Sequence, residues 1–286
     1  VEGLIAQHDF LNARQFYIAV RRLADSLSYG TDHSPWVGSG IEYVQSRPYE
    51  PGDSVRSIDW RVTARTRKVH VKEYESPKRL PVYILLDTSA SMTVSSTARS
   101  KYELAVFIAG GLAMACLDRI SPVGLLGTGG AVLHVRPSLS RDQIMGWLHK
   151  LRHYRFDEPT QLAKRVTELG PRLAQRTLVI VLSDLHDPEA LGVLKRLGQR
   201  HDCAVLQLRD AAETSLRGAG LLRVQEAETG RTLVAHGRTA WHDPTQVADE
   251  LRRAAIDHMV IDVDQPYVPK LRHFFKSRDI LGRGAR

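Results

Sequence analysis

The sequence predicts an α/β fold: a doubly wound, mainly parallel sheet with helices on both faces, preceded by an N-terminal helical/β extension. Two runs carry most of this reading. Val82-Tyr83-Ile84-Leu85-Leu86 and Thr177-Leu178-Val179-Ile180-Val181-Leu182 are almost continuously apolar, as strands buried on both faces are. Both end in polar residues, Asp87 in one case and Ser183-Asp184 in the other. Between and after them, stretches of helical periodicity alternate with further short apolar runs.

The elements follow in chain order. Residues 8–28 read as an amphipathic helix, with Phe10, Phe16, Ile18, Val20, Leu23 and Leu27 near helical spacing and Arg14, Arg21, Arg22 and Asp25 between them. Tyr29-Gly30 to Gly40 is rich in Gly, Ser and Pro and reads as loop. Residues 41–79 hold a turn at Pro51-Gly52-Asp53, a short helix over 60–65 and an alternating strand over 69–74. Trp60 is expected in the core, and Asp59 is placed to cap the helix after it. Beyond residue 80, a helix is expected over 101–118. The runs 124–126 and 132–135 bracket Gly129-Gly130 as a hairpin or tight turn. Helices are expected near 141–151, 161–174 and 188–199, and a strand over 204–208. A hairpin is expected from 221–224 and 232–235, then a helix over 244–257, a strand at 259–261 and a last helix near 267–276. The chain divides accordingly into an extension (1–79) carrying the Tyr49–Trp60 block and packed on the core, an α/β domain (80–264), and a C-terminal helix with a basic tail (265–286).

Composition narrows the function classes. The chain has 286 residues, 43% hydrophobic and 25% charged, ordinary for a globular protein. A net charge of +8 would permit nucleic acid, anionic lipid or an acidic protein as partner. That charge is spread: the excess over 1–80, 81–184 and 185–286 is +2, +4 and +2. The local cluster is the tail, where Lys270, Arg272, Lys276, Arg278, Arg283 and Arg286 face only Asp279, and it reads as a solvated basic end. No GxxxxGK[ST] or HExxH occurs, and Gly127-Thr128-Gly129-Gly130 is not a dinucleotide fingerprint. The apolar run 104–117 is fenced by Glu103 and Asp118 and is too short to span a bilayer, so no transmembrane segment is expected. Val1-Glu2-Gly3-Leu4 lacks a secretory pattern, and Cys116 and Cys203 are isolated thiols in apolar stretches. Together these lead us to expect a cytoplasmic protein.

Ligands in open α/β sheets gather outside the carboxyl ends of the strands. Asp87-Thr88-Ser89-Ala90-Ser91 and Ser183-Asp184 both fall at that edge. An oxygen-rich edge suits a hard divalent cation such as Mg²⁺, with Mn²⁺ and Ca²⁺ also accepting oxygen ligands. In a DxSxS turn, Asp87 offers charge while Ser89 and Ser91 offer neutral hydroxyls. A first shell rich in neutral groups leaves the cation seeking another carboxylate. The structural alternative is a helix cap after a strand.

Leu85-Leu86-Asp87-Thr88-Ser89-Ala90-Ser91-Met92 resembles the metal-ion-dependent adhesion site of von Willebrand factor A domains. That resemblance implies a Thr from a later loop and an Asp from a later strand. Thr160, in Glu158-Pro159-Thr160-Gln161-Leu162, matches the first, with Thr167 not far along the chain; Asp184 matches the second. Asp157, Glu158 and Asp187 lie nearby and read as surface carboxylates. A narrower resemblance lies upstream. Gly38-Ser39-Gly40-Ile41-Glu42-Tyr43, Arg47-Pro48-Tyr49-Glu50-Pro51-Gly52-Asp53, Val55-Arg56-Ser57-Ile58-Asp59-Trp60, Ala64-Arg65 and Val71-Lys72-Glu73 resemble the family catalogued as domain of unknown function 58. Here Ser54 stands where a second Asp is usual and Tyr43 where Phe is usual.

The family resemblance implies a non-catalytic, metal-dependent interaction module that acts as adaptor or chaperone-like partner of a MoxR-type AAA+ ATPase, or of another protein offering a carboxylate to the metal. Two other classes stand beside it: a metal-assisted hydrolase, against which no His or Glu is placed by sequence as general base, and a basic nucleic-acid-binding protein, for which no aromatic-plus-basic reader motif is present.

Overall fold

In the computed structural model, which describes residues 13–28, 42–75, 80–153, 158–214, 221–225, 232–236 and 244–277, the two apolar runs become neighbouring strands at the middle of one sheet. The chain forms two compact units: residues 1–29 with 80–281, and residues 30–79 with 282–286. This differs from the three-part division drawn from the sequence, because the first helix groups with the sheet and not with the segment that follows it.

Along the chain the elements are α1 (Ala13–Ser28), β1 (Glu42–Pro48), α2 (Trp60–Thr66), β2 (His70–Glu75), β3 (Val82–Leu86), α3 (Lys101–Asp118), β4 (Val123–Gly127), β5 (His134–Ser138), α4 (Arg141–Arg152), α5 (Leu162–Leu169), β6 (Leu178–Ser183), α6 (Ala190–Gly198), β7 (Asp202–Arg209), α7 (Ala211–Thr214), β8 (Leu221–Gln225), β9 (Thr232–His236), α8 (Pro244–Arg253), β10 (Asp257–Asp262) and α9 (Val268–Ser277). The main sheet has the order β10-β7-β6-β3-β4-β5. Its pairs are parallel except β4–β5, the hairpin around Gly129-Gly130. β8 and β9 form the antiparallel hairpin expected from their sequence.

Alternation along the buried strands sends side chains to two cores. Val82, Ile84, Leu86, Ile180 and Leu182 face one, with α1, α3, α4 and α9. Tyr83, Leu85, Val179, Val181 and Val205 face the other, with α5, α6 and α8. Helices therefore cover both faces, as a doubly wound sheet requires. α3 is buried almost all round, which is why its sequence carries so little amphipathic signal. It starts with a capping box: Ser100 Oγ accepts from Glu103 N–H, and the Glu103 carboxylate accepts from Ser100 N–H. Gly170-Pro171 ends α5 earlier than periodicity suggested and turns the chain into a single 3₁₀ turn over Gly170–Arg172. Cys116 and Cys203 are buried thiols not joined in a disulfide. Among the described residues no helix is long and apolar enough to cross a membrane. Two bases of the tail are used internally: Arg272 Nε donates to Ser26 O (2.6 Å), and Lys270 Nζ donates to Gln265 Oε1 (3.0 Å). Arg278, Arg283 and Arg286 lie outside the described residues.

The smaller unit is held largely by polar contacts. β1 and β2 pair antiparallel, and Arg47 grips Asp53 through two hydrogen bonds of 2.7 and 2.8 Å. Gly52 turns the chain at φ +113°, a conformation that favours glycine. Asp59 caps α2 as expected, its Oδ1 accepting from Arg61 and Val62 N–H, while its Oδ2 accepts from Ser46 Oγ (2.7 Å). Trp60 departs from expectation. It is 69% exposed, because α2 is only seven residues long and buries none of its side chains.

α1 meets α3 at Gly110 and Gly111. A Cβ at Gly111 would stand 2.6 Å from Leu23 Cγ, so α1 approaches only because that carbon is missing. Gly111→Val should therefore destabilise the chain by ~1–3 kcal/mol in urea unfolding through overpacking. Part of that loss should return when Leu23→Ala is added, since the two positions touch.

Candidate metal centre

The sheet's winding direction reverses between β3 and β6: the chain leaves β3 toward β4 on one side and returns to β6 on the other. Such a reversal opens a crevice at the carboxyl ends of the two strands. Asp87 follows β3 and Asp184 follows β6, so parallel in-register pairing places both carboxylates at that crevice. Asp87 is 1% exposed and Asp184 is 3% exposed.

The turn after β3 folds back on its own aspartate. Asp87 Oδ1 accepts from Ser89 N–H (3.1 Å), and Ser89 Oγ and Ser91 Oγ are 3.0 Å apart. The Ser89 hydroxyl also favours the ionised form of Asp87, and the Ser91 hydroxyl that of Asp184. Ser183 Oγ donates to Asp87 Oδ2 (2.6 Å) and accepts from Leu185 N–H (2.9 Å). Asp87, Ser89, Ser91 and Asp184 are thus brought together in one buried network. Thr160 lies on the 158–161 loop, which is tied to the same turn: Ala90 N–H donates to Glu158 O (2.9 Å), and Gln161 N–H donates to Thr128 O (2.8 Å). Thr160 Oγ1 is buried and has no hydrogen-bond partner, and neither has Thr128 Oγ1. The nearby alternative, Thr167, spends its hydroxyl on Ala163 O of its own helix (2.8 Å).

The Gly129-Gly130 turn does more than join two strands. Arg165, 8% exposed, donates to Gly130 O (2.8 Å), and Gly129 N–H donates to Thr88 Oγ1 (2.9 Å). A Cβ at Gly129 would stand 2.5 Å from Thr88 Oγ1 and 2.6 Å from Glu158 Oε2, so glycine lets this loop close on the site. Glu158 and Asp187 serve backbone groups. Glu158 Oε2 accepts from Ala131 N–H (2.9 Å), while Asp187 accepts from Ala163 N–H (2.8 Å) and Glu189 N–H (2.9 Å). Asp157 lies outside the described residues.

Three groups at the site were not singled out from the sequence. Lys101, the first residue of α3, is 0% exposed, and its Nζ donates to Asp184 Oδ2 (2.8 Å) and to Glu213. His186 has Nδ1 3.3 Å from Asp184 Oδ2. Asp184, His186 and Glu213 place ligand atoms within 4.8 Å of one another. The Ser100-x-x-Glu103 cap was the available signal for Lys101, since it puts this lysine at the helix start nearest the strand ends.

The two carboxylates are electrostatically unlike. Burial, then the negative Asp184 beside it, push Asp87 up to about 7 despite its hydroxyl partners. Burial would raise Asp184 too, but the Lys101 ammonium and then His186 pull it below the usual carboxylate range. Two strand-end carboxylates, unequally neutralised and ringed by hydroxyls at a topological switch point, define the class: an α/β domain with an oxygen-rich, buried acidic site.

The chain belongs to the family described as "Protein of unknown function DUF58", whose model matches residues 45–260. It is 27% identical over 251 residues to the uncharacterized proteins Mb1516 of Mycobacterium bovis and Rv1480 of Mycobacterium tuberculosis, covering 86% of this chain and 77% of theirs. Among solved structures it is similar to the conserved hypothetical protein BatB from Bacteroides thetaiotaomicron, with a TM-score of 0.47 and 14% identity over 69% of this chain and 98% of that one. It is also similar to the PilB minor pilin from Streptococcus sanguinis, with a TM-score of 0.39 and 11% identity over 75% of this chain and 65% of that one.

Asp87 carries a prediction about pH. Its folded value lies above the ordinary 3.8, so between about 4 and about 7 the folded chain keeps a proton that the unfolded chain has released. Stability without metal should therefore fall as pH rises through that window and level off above about 7. Asp184, shifted downward, acts only below 3.8 and with the opposite sign. Thermal unfolding in EDTA should give a higher Tm at pH 5 than at pH 8, and Asp87→Asn should flatten the difference.

Proposed function

We propose that this chain is a metal-dependent protein-interaction module, with a divalent cation held by Asp87, Ser89, Ser91, Thr160 and Asp184. The observation that carries the reading is the pair of buried carboxylates at the strand ends, with a buried Thr160 hydroxyl that no protein group satisfies on the loop tied to the Asp87 turn. Buried polar atoms are normally paired, so an unsatisfied oxygen on that loop supports a ligand that pairs it. The donors are all oxygens, which suits Mg²⁺ and its hard relatives Mn²⁺ and Ca²⁺. A cation would also offset the burial, and then the charge of Asp184, that together raise Asp87.

Each side chain has a task in this reading. Asp87 supplies a negative ligand, oriented by Ser183 Oγ and Ser89 N–H. Ser89 and Ser91 supply neutral oxygens, held 3.0 Å apart by their own hydrogen bond. Asp184 supplies the second negative charge, kept ionised by Lys101 beside it. The bound ion supplies an electrophilic position that an acidic side chain from another protein can fill. The Gly129-Gly130 loop, pinned by Arg165, walls one side of the crevice. The partner class we favour is a MoxR-type AAA+ ATPase, for which the chain serves as adaptor or chaperone-like factor.

A metal-assisted hydrolase is the second reading, and one observation favours it. His186, against Asp184, forms a His–carboxylate pair at the mouth of the site that could act as a base. Mg²⁺-dependent turnover of generic phosphoester or peptide substrates, abolished by His186→Ala, would move this reading to first place.

Thr160→Val gives the sharpest test of the ligand set. The hydroxyl has no protein partner, so its loss should change unfolding free energy in EDTA by no more than ~0.5 kcal/mol. Calorimetric Mg²⁺ or Mn²⁺ affinity should nonetheless fall at least about tenfold, equivalent to roughly 1.4 kcal/mol of binding free energy. Asp87→Asn should abolish binding and, with it, metal-dependent retention of the ATPase in a pull-down; unchanged affinity in Asp87→Asn would refute the site.

A further inference from the structure

Lys101 is unusual for where it sits. Its side chain is 0% exposed, and its ammonium is paired with both Asp184 and Glu213. The capping box at Ser100 and Glu103 fixes the helix start that carries it. Glu213 is anchored in turn, its Oε2 accepting from Asp210 N–H (3.2 Å). Asp210, 0% exposed, accepts from Ser96 N–H (2.9 Å) and Ser96 Oγ (2.5 Å). The ammonium is therefore held in place from both sides. Asp184, His186 and Glu213 have the spacing of a cation cage, and the cation among them is part of the chain.

We infer that Lys101 is a tethered cation that weakens the adjoining divalent site and keeps that site neutral enough to accept a further carboxylate. The inference rests on the metal reading above and adds its regulation. Ionised Asp87, Asp184 and Glu213 carry three negative charges, which Lys101 and one divalent ion balance. Without Lys101, the loaded site would be net negative and would repel an acidic ligand. With it, a divalent ion approaching Asp184 meets a fixed positive charge bonded to the same carboxylate. Charges at such spacing, shielded from water, interact strongly. Lys101 thus acts as a positioning and charge-setting residue, and an ion is gripped fully only when a partner's carboxylate completes its shell.

Charge-based action predicts opposite signs at two positions. In calorimetric titration with Mn²⁺ alone, Lys101→Met should bind at least about tenfold tighter than wild type, and Glu213→Gln should bind severalfold weaker. Lys101→Met leaves two buried carboxylates unbalanced, so its Tm in EDTA should drop, and saturating Mn²⁺ should raise its Tm by more than it raises that of wild type. A folded Lys101→Met that binds Mn²⁺ no tighter than wild type would overturn the inference while leaving the metal reading intact. Should Lys101→Met fold only poorly, Glu213→Gln decides, and affinity equal to or above wild type overturns it. A wild-type chain that takes up no Mn²⁺ refutes the metal reading, and this inference falls with it.

Discussion

Two carboxylates on adjacent strand ends, both sealed from water, are expensive to keep apart from positive charge. Asp87 and Asp184 stand in that position because β3 and β6 pair in parallel register and end together. Much of the surrounding detail serves to make their closeness tolerable. Ser183 and Ser89 donate to Asp87, Lys101 donates to Asp184, and the remaining cost, burial first and the charge of Asp184 second, shows in the upward shift of Asp87. A fold selected for stability alone would place apolar residues there, since buried charge is weak evidence of stabilisation. The arrangement is therefore accounted for by the ligand proposed above, which both carboxylates would meet together.

The scaffold explains how such a site stays precise. Two apolar cores grip the central strands from opposite faces, so the strand ends have little freedom. α3, buried nearly all round, delivers Lys101 from one side, while the Gly129-Gly130 turn, fastened by Arg165, closes from another. Sites carried on rigid elements with supporting hydrogen bonds hold their geometry better than sites on free loops. The close approach of α1 to α3 at Gly111 belongs to the same logic, because it stiffens the helix that carries the buried lysine.

Much of this was legible in the sequence, for physical reasons. Fully buried parallel strands must be apolar on both faces, so Val82–Leu86 and Leu178–Leu182 stand out, and the polar residues just past them mark the ligand edge. DxSxS is local, so Asp87, Ser89 and Ser91 could be read directly. Lys101 and Glu213 could not, because their roles arise from contacts 83 and 112 residues apart that only the folded chain creates. Trp60 misled for a related reason: a large aromatic in a motif reads as core, but a seven-residue helix with no buried face leaves it exposed. The division into units was equally hidden, since the grouping of α1 with the sheet depends on packing against α3.

The central claim is that a divalent ion sits at the Asp87–Asp184 crevice beside a lysine that stays in place. Anomalous diffraction from crystals of the chain grown with Mn²⁺ tests it most directly. The account predicts one peak at coordination distance from Asp87 and from the hydroxyls of Ser89, Ser91 or Thr160, with Lys101 still bonded to Asp184. A peak among Asp184, His186 and Glu213 with Lys101 displaced, or no peak at the crevice, would contradict it.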